Sequence, residues 1–131
     1  MASKPVSRPL QEPAFLILSA LAQGASHGYG ISKDVEESSG GRVTLRAGTL
    51  YGAIDRLVAA GLVEVDHEEV VDSRLRRYYR LTAEGGTRLG AEARRAEAQA
   101  RQALDRLARR TSARAAGSGT AVPRGLGEVP A

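Results

Sequence analysis

Hydrophobic positions along the 131-residue chain are spaced first as in helices and later as in strands. The segment PAFLILSALAQG at 13–24 is apolar nearly all round, and its leading proline suits a first helical turn. It therefore predicts a buried helix that ends at its final glycine. A second helix is predicted over HGYGISKDVEESSGG, with Ser26 as its N-cap and Gly40–Gly41 as its end. Gly28 and Gly30 near its start predict close packing against a partner that the sequence does not reveal.

A third helix with one apolar face is predicted over AGTLYGAIDRLVAAG at 47–61. Its apolar residues recur at helical spacing on one side, and they are Leu50, Ile54, Leu57 and Val58. Gly61 ends the pattern, as glycine does at many helix C-termini. The preceding VTL at 43–45 predicts a short strand.

Two strands joined by an acidic bend predict a β-hairpin after this helix. LVEVDH at 62–67 is the first strand, EEVVDS at 68–73 the bend and RLRRYYRLT at 74–82 the second strand. Alternate side chains of a strand face opposite ways, which divides the second strand into two sets. The set that suits packing on the helices comprises Leu75, Arg77, Tyr79 and Leu81. The set that suits a phosphate-facing surface comprises Arg74, Arg76, Tyr78 and Arg80.

A last helix is predicted from about Ala83 to Arg110, with Thr82 as its N-cap. Gly85 occupies its third helical position, so the capping box lacks its acid. A narrow seam for another helix is formed by residues at alternating helical spacing, namely Leu89, Ala93, Ala96, Ala100, Ala103 and Leu107. The seam has no partner within so short a chain, which predicts pairing across a two-fold axis in a dimer.

The order helix, helix, helix, hairpin, long helix predicts a mainly α fold with a small β-hairpin. It is the layout of a winged helix-turn-helix, in which the third helix enters the DNA major groove and the hairpin flanks it. The predicted domains are a DNA-binding domain at 12–82 and a long C-terminal dimerisation helix at 83–110. A flexible N-terminal arm is predicted at 1–11. The segment at 111–131 lacks apolar periodicity and predicts a disordered tail.

Composition favours a polyanionic partner and excludes several kinds of chemistry. The net charge is +4 and the pI is near 10, and the basic excess is arginine because lysine occurs only at Lys4 and Lys33. Without cysteine there is no disulfide or thiolate metal site, and His27 and His67 are too far apart in the chain for a zinc pair. The longest apolar run, Ala14–Leu18, is too short for a membrane span, which favours a cytoplasmic protein.

No catalytic constellation is visible, so neither an enzyme nor a cofactor is expected. The chain has no cysteine nucleophile and no histidine–carboxylate pair at telling spacing. GRVTLRAG at 41–48 lacks the Gly-Lys-Ser/Thr ending of a P-loop.

Three segments resemble the PadR family of bacterial transcriptional regulators: HGYGI at 27–31, GTLYGAIDRLVAAGLV at 48–63, and RLRRYYRLT at 74–82 followed by AEG. The resemblance runs from about Ala14 to Leu89. It implies a winged-helix repressor that binds double-stranded DNA as a homodimer, in which the helix after the wing pairs with its counterpart. In many members of the family a small, often aromatic or hydrophobic, effector molecule releases the protein from DNA.

Two departures from the family pattern bear on these expectations. Arg46-Ala47 stands where the family usually has Ser-Pro, and because arginine is a poor N-cap the start of the recognition helix is left open. Arg46 is alternatively an added phosphate or base contact. The chain has no tryptophan, so it lacks the paired tryptophans that build the effector pocket of the multidrug-sensing members.

Candidate DNA contacts lie on the recognition helix, on the wing and at the start of the second helix. Hydroxyls meet phosphates or base edges, glycines let the backbone approach DNA, and arginines bind phosphates or the minor groove. The candidates are Arg46, Gly48, Thr49, Tyr51 and Gly52 on the recognition helix, Arg74, Arg76 and Tyr78 on the wing, and His27 and Tyr29 on the second helix. Tyr79 is assigned to the core unless a bulge exchanges it with Tyr78.

These assignments have competing interpretations. Instead of contacting DNA, Tyr51 would pack in the core. His27 and Tyr29 would likewise have a structural role, in packing and in capping the second helix. The domain as a whole has an alternative function, a winged-helix module that binds protein rather than DNA. That alternative is favoured by the modest charge of residues 42–82, which hold seven arginines against six acids.

Overall fold

Four helices and a three-stranded antiparallel sheet are present in the structure, a computed structural model that describes residues 9–121. The helices are α1 (Glu12–Leu21), α2 (Gly28–Ser38), α3 (Ala47–Ala59) and α4 (Ala83–Ala121). The strands are β1 (Ser26–His27), β2 (Val63–Val71) and β3 (Arg74–Leu81), in the sheet order β1-β3-β2. The predicted fold class, a winged helix-turn-helix followed by a long C-terminal helix, is confirmed.

The core lies where the apolar faces of α1, α2, α3 and the sheet meet. Its largest fully buried side chains are Ile17, Leu18, Ile31, Val35, Ile54 and Val63. Three of the four residues predicted for the apolar face of α3 are buried, namely Leu50, Ile54 and Leu57. The prediction for Val58 is wrong, because helical geometry places it at the margin of the buried stripe, where it is 39% exposed.

The strand predicted at 43–45 is wrong, since these residues form a loop between α2 and α3. Two serines, one in α2 and one just after it, hold the loop backbone. Ser39 Oγ accepts the Val43 N–H at 2.9 Å, and Ser32 Oγ donates to the Leu45 carbonyl at 3.2 Å. Side chains thus satisfy backbone groups that a strand would have paired in a ladder.

A third strand lies just before α2, where none was predicted. β1 pairs Ser26 with Tyr79 and His27 with Tyr78 in antiparallel register. The prediction that Ser26 caps α2 is wrong, because this residue belongs to the sheet. His27 is the N-cap, and its Nδ1 accepts the Gly30 N–H at 3.3 Å.

The turn of the wing is shorter than predicted. β2 continues through Val71, and the chain reverses over Asp72 and Ser73, whose φ angles are 53° and 64°. Two successive left-handed residues suit a two-residue hairpin turn, because they match the twist of the flanking strands. The predicted bend is therefore wrong over 68–71, where the residues pair across the hairpin instead.

A β-bulge at Asp66 sets the register of the wing. Val65 lies opposite Tyr79 and His67 lies opposite Tyr78, which leaves Asp66 as the extra residue of β2. Alternation along β3 is preserved because the bulge belongs to the other strand. Tyr79 is buried, as predicted, and the two tyrosines are not exchanged.

The packed face of β3 loses its cover towards the turn. Tyr79 is buried and Leu81 is half-buried, whereas Arg77 is exposed and Leu75 is 62% exposed. The prediction that Leu75 and Arg77 pack on the helices is wrong, because the hairpin reaches beyond the core at these positions. The end of the wing is consequently accessible to another molecule.

The start of α4 lies against the connection between α3 and β2. Thr82 caps the helix, as predicted: its Oγ1 accepts the Gly85 N–H at 2.9 Å and donates to the Gly61 carbonyl at 2.7 Å. A Cβ at Gly85 would lie 2.0 Å from the Leu62 carbonyl oxygen. The capping box lacks its acid because no side chain fits at this position.

Residues 9–11 of the predicted flexible arm are held in place. The Leu10 N–H donates to Glu92 Oε2 at 3.4 Å, and the Leu10 side chain packs against the core. Glu92 is buried and also accepts from Arg88 Nε at 3.1 Å. The prediction of a flexible arm is wrong for 9–11, and its first eight residues lie outside the described part of the chain.

α4 continues beyond its predicted end. The helix runs to Ala121, so the disorder predicted from residue 111 is wrong for 111–121, and residues 122–131 lie outside the described part. TSARAA at 111–116 is rich in strong helix formers, and extending a formed helix is far easier than starting one. The chain divides after Ala93 into two units, and α4 contributes to both.

Candidate nucleic-acid interface

α3 turns a nearly bare face outward. Its buried residues are Leu50, Ala53, Ile54 and Leu57. At about 100° per residue, the opposite side carries Gly48, Gly52, Asp55 and Ala59. A Cβ at Gly48 would meet nothing within 4 Å, and one at Gly52 would meet only the Arg56 guanidinium, at 3.7 Å. Both glycines therefore leave the helix backbone open to an approaching molecule.

The recognition helix begins immediately after Arg46. This residue is the N-cap of α3 and has extended backbone, but its side chain makes no capping hydrogen bond. Its exposed guanidinium lies in no ion pair with any residue between 9 and 121. Arg46 therefore retains its charge for a ligand at the start of the helix.

Thr49 and Tyr51 lie on opposite flanks of α3. Thr49 is exposed and borders an apolar groove of about 850 Å³ beside α1, which Arg56 and Leu57 also line. Tyr51 borders a concave surface between α2, α3 and the wing. The two predicted contacts are therefore not brought to one surface.

The Tyr51 ring packs on the start of α2 and is still 42% exposed. A Cβ at Gly28 would lie 2.0 Å from the Tyr51 hydroxyl oxygen and 2.6 Å from Cζ. Gly28 thus admits the Tyr51 ring, which is the close packing that the sequence predicted without a partner. Gly30 likewise makes room for Ser26 Oγ, because a Cβ at Gly30 would lie 2.5 Å from that oxygen.

We expect Gly28→Ala to lower the free energy of unfolding by about 1–3 kcal/mol, because the added methyl overlaps the Tyr51 ring. The same change in a Tyr51→Leu background should cost much less, since the ring that it meets is gone. Urea denaturation followed by circular dichroism, at one protein concentration, measures every variant of this cycle. Equal losses of stability in the two backgrounds would contradict the packing of Tyr51 on Gly28.

His27 and Tyr29, at the start of α2, have different roles. His27 caps α2 and meets Tyr78 edge to face, with ring centroids 5.2 Å apart. Burial lowers the pKa of His27 and the nearby Arg76 guanidinium lowers it further, which favours the neutral ring that can accept the capping bond at Nδ1. Packing and capping are therefore confirmed for His27, whereas the Tyr29 ring is mostly exposed.

Two arginines of the wing are neutralised by neighbouring acids. Arg80 Nε donates to Glu64 at 2.8 Å and its Nη1 to Asp66 at 3.1 Å. Arg77 Nε donates to Glu68 at 2.9 Å. Exposed pairs of this kind add little stability, but they cancel charge that would otherwise attract phosphates.

Arg74 and Arg76 differ from these two, because neither lies in an ion pair with any residue between 9 and 121. Glu69, directly opposite Arg76, is held instead by His67 Nε2 at 3.2 Å. Asp66 and Glu69 both bond the His67 ring, and these hydrogen bonds raise its pKa. Four of the wing acids, Glu64, Asp66, Glu68 and Glu69, are thus bound to other side chains, and Arg74 and Arg76 lie outside these pairs.

Tyr78 lies between two histidines and is half-buried. Its ring stacks on His67 with centroids 4.4 Å apart and meets His27 edge to face. Tyr78 therefore connects the wing to the start of α2. It is less accessible than its prediction as a DNA-facing surface residue implies.

The concave surface between α2, α3 and the wing is called the interface cleft below. It has a volume of about 830 Å³ and brings together five predicted contacts, namely His27, Tyr29, Tyr51, Arg74 and Arg76. The others lie outside its lining, and they are Arg46, Gly48, Thr49, Gly52 and Tyr78. Asp55 also lines the cleft and was not predicted as a contact. Its helical spacing from Gly48 and Gly52, opposite the apolar stripe, is the signal that identifies it.

α4 presents most of the predicted seam to solvent. Leu89 packs against the core of its own chain, whereas the other seam residues are exposed, namely Ala93, Ala96, Ala100, Ala103 and Leu107. Leu104, beside the seam, is 66% exposed and was not predicted as part of it. Pairing of this seam in a dimer stays a prediction. Although α4 is long, no helix within residues 9–121 is both long and apolar enough to cross a membrane.

Three helices, a wing and an outward-facing third helix define a winged helix-turn-helix protein of the DNA-binding class. The model of the transcriptional regulator PadR-like family matches residues 17–91, more than half of the chain, and the chain belongs to that family. The resemblance found in the sequence is confirmed. The family is one of transcription regulators, which is not an enzyme class.

Known relatives agree with this assignment. Transcriptional regulator Rv3488 from Mycobacterium tuberculosis is 39% identical over 88 residues, which cover 67% of this chain and 78% of the relative. A PadR family transcription regulator from Clostridium difficile R20291 is 27% identical, with a TM-score of 0.63 over 74% of this chain and 99% of that one. Bacillus subtilis PadR, solved in complex with operator DNA, shares the fold at 21% identity and a TM-score of 0.56, over 62% of this chain and 46% of that one. The chain spans 13% and 64% of the lengths of two other relatives that it matches.

Proposed function

We propose that the protein is a dimeric transcriptional repressor that binds a palindromic operator in double-stranded DNA. The observation that carries the proposal is the placement of Arg74 and Arg76, which border the interface cleft and lie in no ion pair within residues 9–121. Unneutralised guanidiniums bind phosphates strongly, because each contact releases a condensed counterion from the DNA. The operator complex of Bacillus subtilis PadR, which has the same fold, supports the choice of partner.

In this proposal α3 enters the major groove and the wing follows the DNA backbone. The outward start of α3 approaches bases and phosphates through Arg46, Gly48, Thr49 and Gly52. In the interface cleft, the side chains of Arg74, Arg76, Tyr29 and Tyr51 contact the DNA backbone. His27 and Tyr78 hold the wing against the start of α2, so their role is to position the arginines.

The dimer follows from the exposed seam of α4. Its alanines allow two helices to approach closely, and the leucines beside them supply apolar surface that a single chain leaves in water. A two-fold dimer presents two copies of α3 in opposite directions, so the operator is expected to contain inverted half-sites. The repressor acts in the cytoplasm, where its DNA lies.

Release by a small hydrophobic or aromatic effector completes the proposal. The apolar groove beside α1 offers such a molecule a surface that includes Leu10 and Leu57. Thr49 and Arg56 line the same groove, so an occupant would contact the helix that reads DNA. Repeating the DNA titrations described next with small aromatic molecules tests this part of the proposal.

Titrating the protein on DNA from upstream of its own gene, and on a scrambled duplex, tests the DNA contact. We expect Arg76→Ala to weaken binding to both duplexes alike. The slope of log affinity against log salt should fall by about one for each phosphate that a subunit no longer binds. Fluorescence anisotropy at several salt concentrations measures affinity and slope together.

Arg106→Ala is the matched control, because it removes the same charge from an exposed position in α4 outside the interface cleft. We expect this variant to keep the wild-type salt slope. An unchanged slope for Arg76→Ala would place the phosphate contacts elsewhere. Failure of the wild type to bind either duplex would overturn the proposal and favour the winged-helix module that binds protein.

A further inference from the structure

The outward face of α3 holds one side chain that extends beyond Cβ. Helical periodicity aligns Gly48, Gly52, Asp55 and Ala59 opposite the buried stripe. The space over both glycines is open, apart from the Arg56 guanidinium near Gly52. Asp55 is therefore the one residue of this row with a functional group, and the Arg56 guanidinium reaches the row from the flank near Gly52.

The Asp55 carboxylate is exposed and lies in no ion pair with a residue between 9 and 121. Arg77 borders the same cleft but is bound to Glu68. On a helix that faces DNA, an acid is repelled by phosphates. A hydrogen bond that the carboxylate accepts from a base offsets this repulsion.

In the major groove the donors are the amino groups of cytosine and adenine. The adenine amino group lies beside N7, an acceptor that repels a carboxylate oxygen, whereas cytosine N4 has no acceptor next to it on its own base. Guanine and thymine offer only acceptors on this edge. Cytosine is thus the base that a bare carboxylate fits best.

We propose that Asp55 reads the amino group of one cytosine in each operator half-site. This inference rests on the proposed DNA binding and adds the base that the protein distinguishes. Gly48 and Gly52 let the backbone of α3 lie close to the floor of the groove, so the short Asp55 side chain reaches the base edge. Arg74 and Arg76 offset the repulsion between the carboxylate and the phosphates.

Selection from a library of randomised duplexes tests the assignment with the full-length protein. Wild type should enrich a half-site with one invariant cytosine. Asp55→Ala should lose preference at that base pair alone, by roughly tenfold, while keeping the rest of the half-site. Asp55→Asn should change the preference there to adenine, because an amide pairs with adenine N6 and N7. Asp105→Asn removes the same charge from α4 and should retain the wild-type half-site.

The outcomes separate this inference from the proposed function. If wild type enriches a half-site and Asp55→Ala enriches the same one with every preference intact, the cytosine contact is overturned while DNA binding stands. A uniform gain in affinity for all duplexes on Asp55→Ala would also overturn it, because the acid would then only repel phosphates. If wild type enriches no sequence at all, the proposed function fails and the inference fails with it.

Discussion

Gly85→Ala is expected to lower the free energy of unfolding by about 3 kcal/mol or more, a large share of the stability of a small domain. The added Cβ would lie 2.0 Å from the Leu62 carbonyl oxygen and 3.0 Å from its carbonyl carbon. These are backbone atoms at the α3–β2 connection, so no side-chain rotation relieves the overlap. The start of α4 would have to move away, and the hydrogen bond from the Gly85 N–H to the Thr82 cap would break.

Gly86→Ala is the matched control one residue further along α4. A Cβ at Gly86 meets nothing within 4 Å, so the change should raise stability by about 0.5–1 kcal/mol through helix propensity. Thermal and urea unfolding at fixed protein concentration compares the two variants, since a dimer makes stability depend on concentration. Similar small effects for both variants would mean that α4 does not start against Leu62.

Ala100→Glu is expected to dissociate the proposed dimer. Ala100 lies in the middle of the exposed seam of α4, where a two-fold axis would bring two copies of the new carboxylate together. An uncompensated buried charge costs several kcal/mol, so the dimer dissociation constant should rise by roughly a hundredfold or more. Analytical ultracentrifugation across a range of concentrations measures the constant.

Ala98→Glu serves as the control, because residue 98 lies opposite the seam, two residues before Ala100. It introduces the same side chain with the same helix propensity and should leave the dimer intact. Equal weakening by both substitutions would show that the seam is not the contact surface. A wild-type protein that sediments as a monomer at micromolar concentration would remove the dimer from the proposal.

The consequences for DNA binding follow from the same geometry. A monomer retains α3 and the wing, but it engages only one half-site and forfeits the advantage of two linked binding events. Ala100→Glu should therefore weaken operator binding much more than Ala98→Glu. Parallel reductions in dimer and operator affinity would connect the seam of α4 to the function proposed for the interface cleft.

Local order was predictable from the sequence because its causes are local. The helices α1, α2 and α3 follow from apolar spacing over a few turns, and Gly40, Gly41 and Gly61 end two of them with positive φ angles. Thr82 was identifiable as a cap because the hydroxyl and the N–H that it accepts lie three residues apart. The family resemblance, which rests on short motifs in order, was accessible for the same reason.

Contacts between residues that are distant along the chain were decided only by the tertiary structure. The bulge at Asp66 fixes which acid faces which arginine, because a one-residue change of register reassigns every cross-strand pair. Gly28 and Gly85 are glycines because Tyr51 and Leu62 pack where a side chain would lie. β1 forms because it pairs with β3, which is distant in the sequence. The sequence by itself determined the helices, the wing and the family. Which two wing arginines lie outside the ion pairs of the described residues depended on packing and pairing that no local pattern encodes.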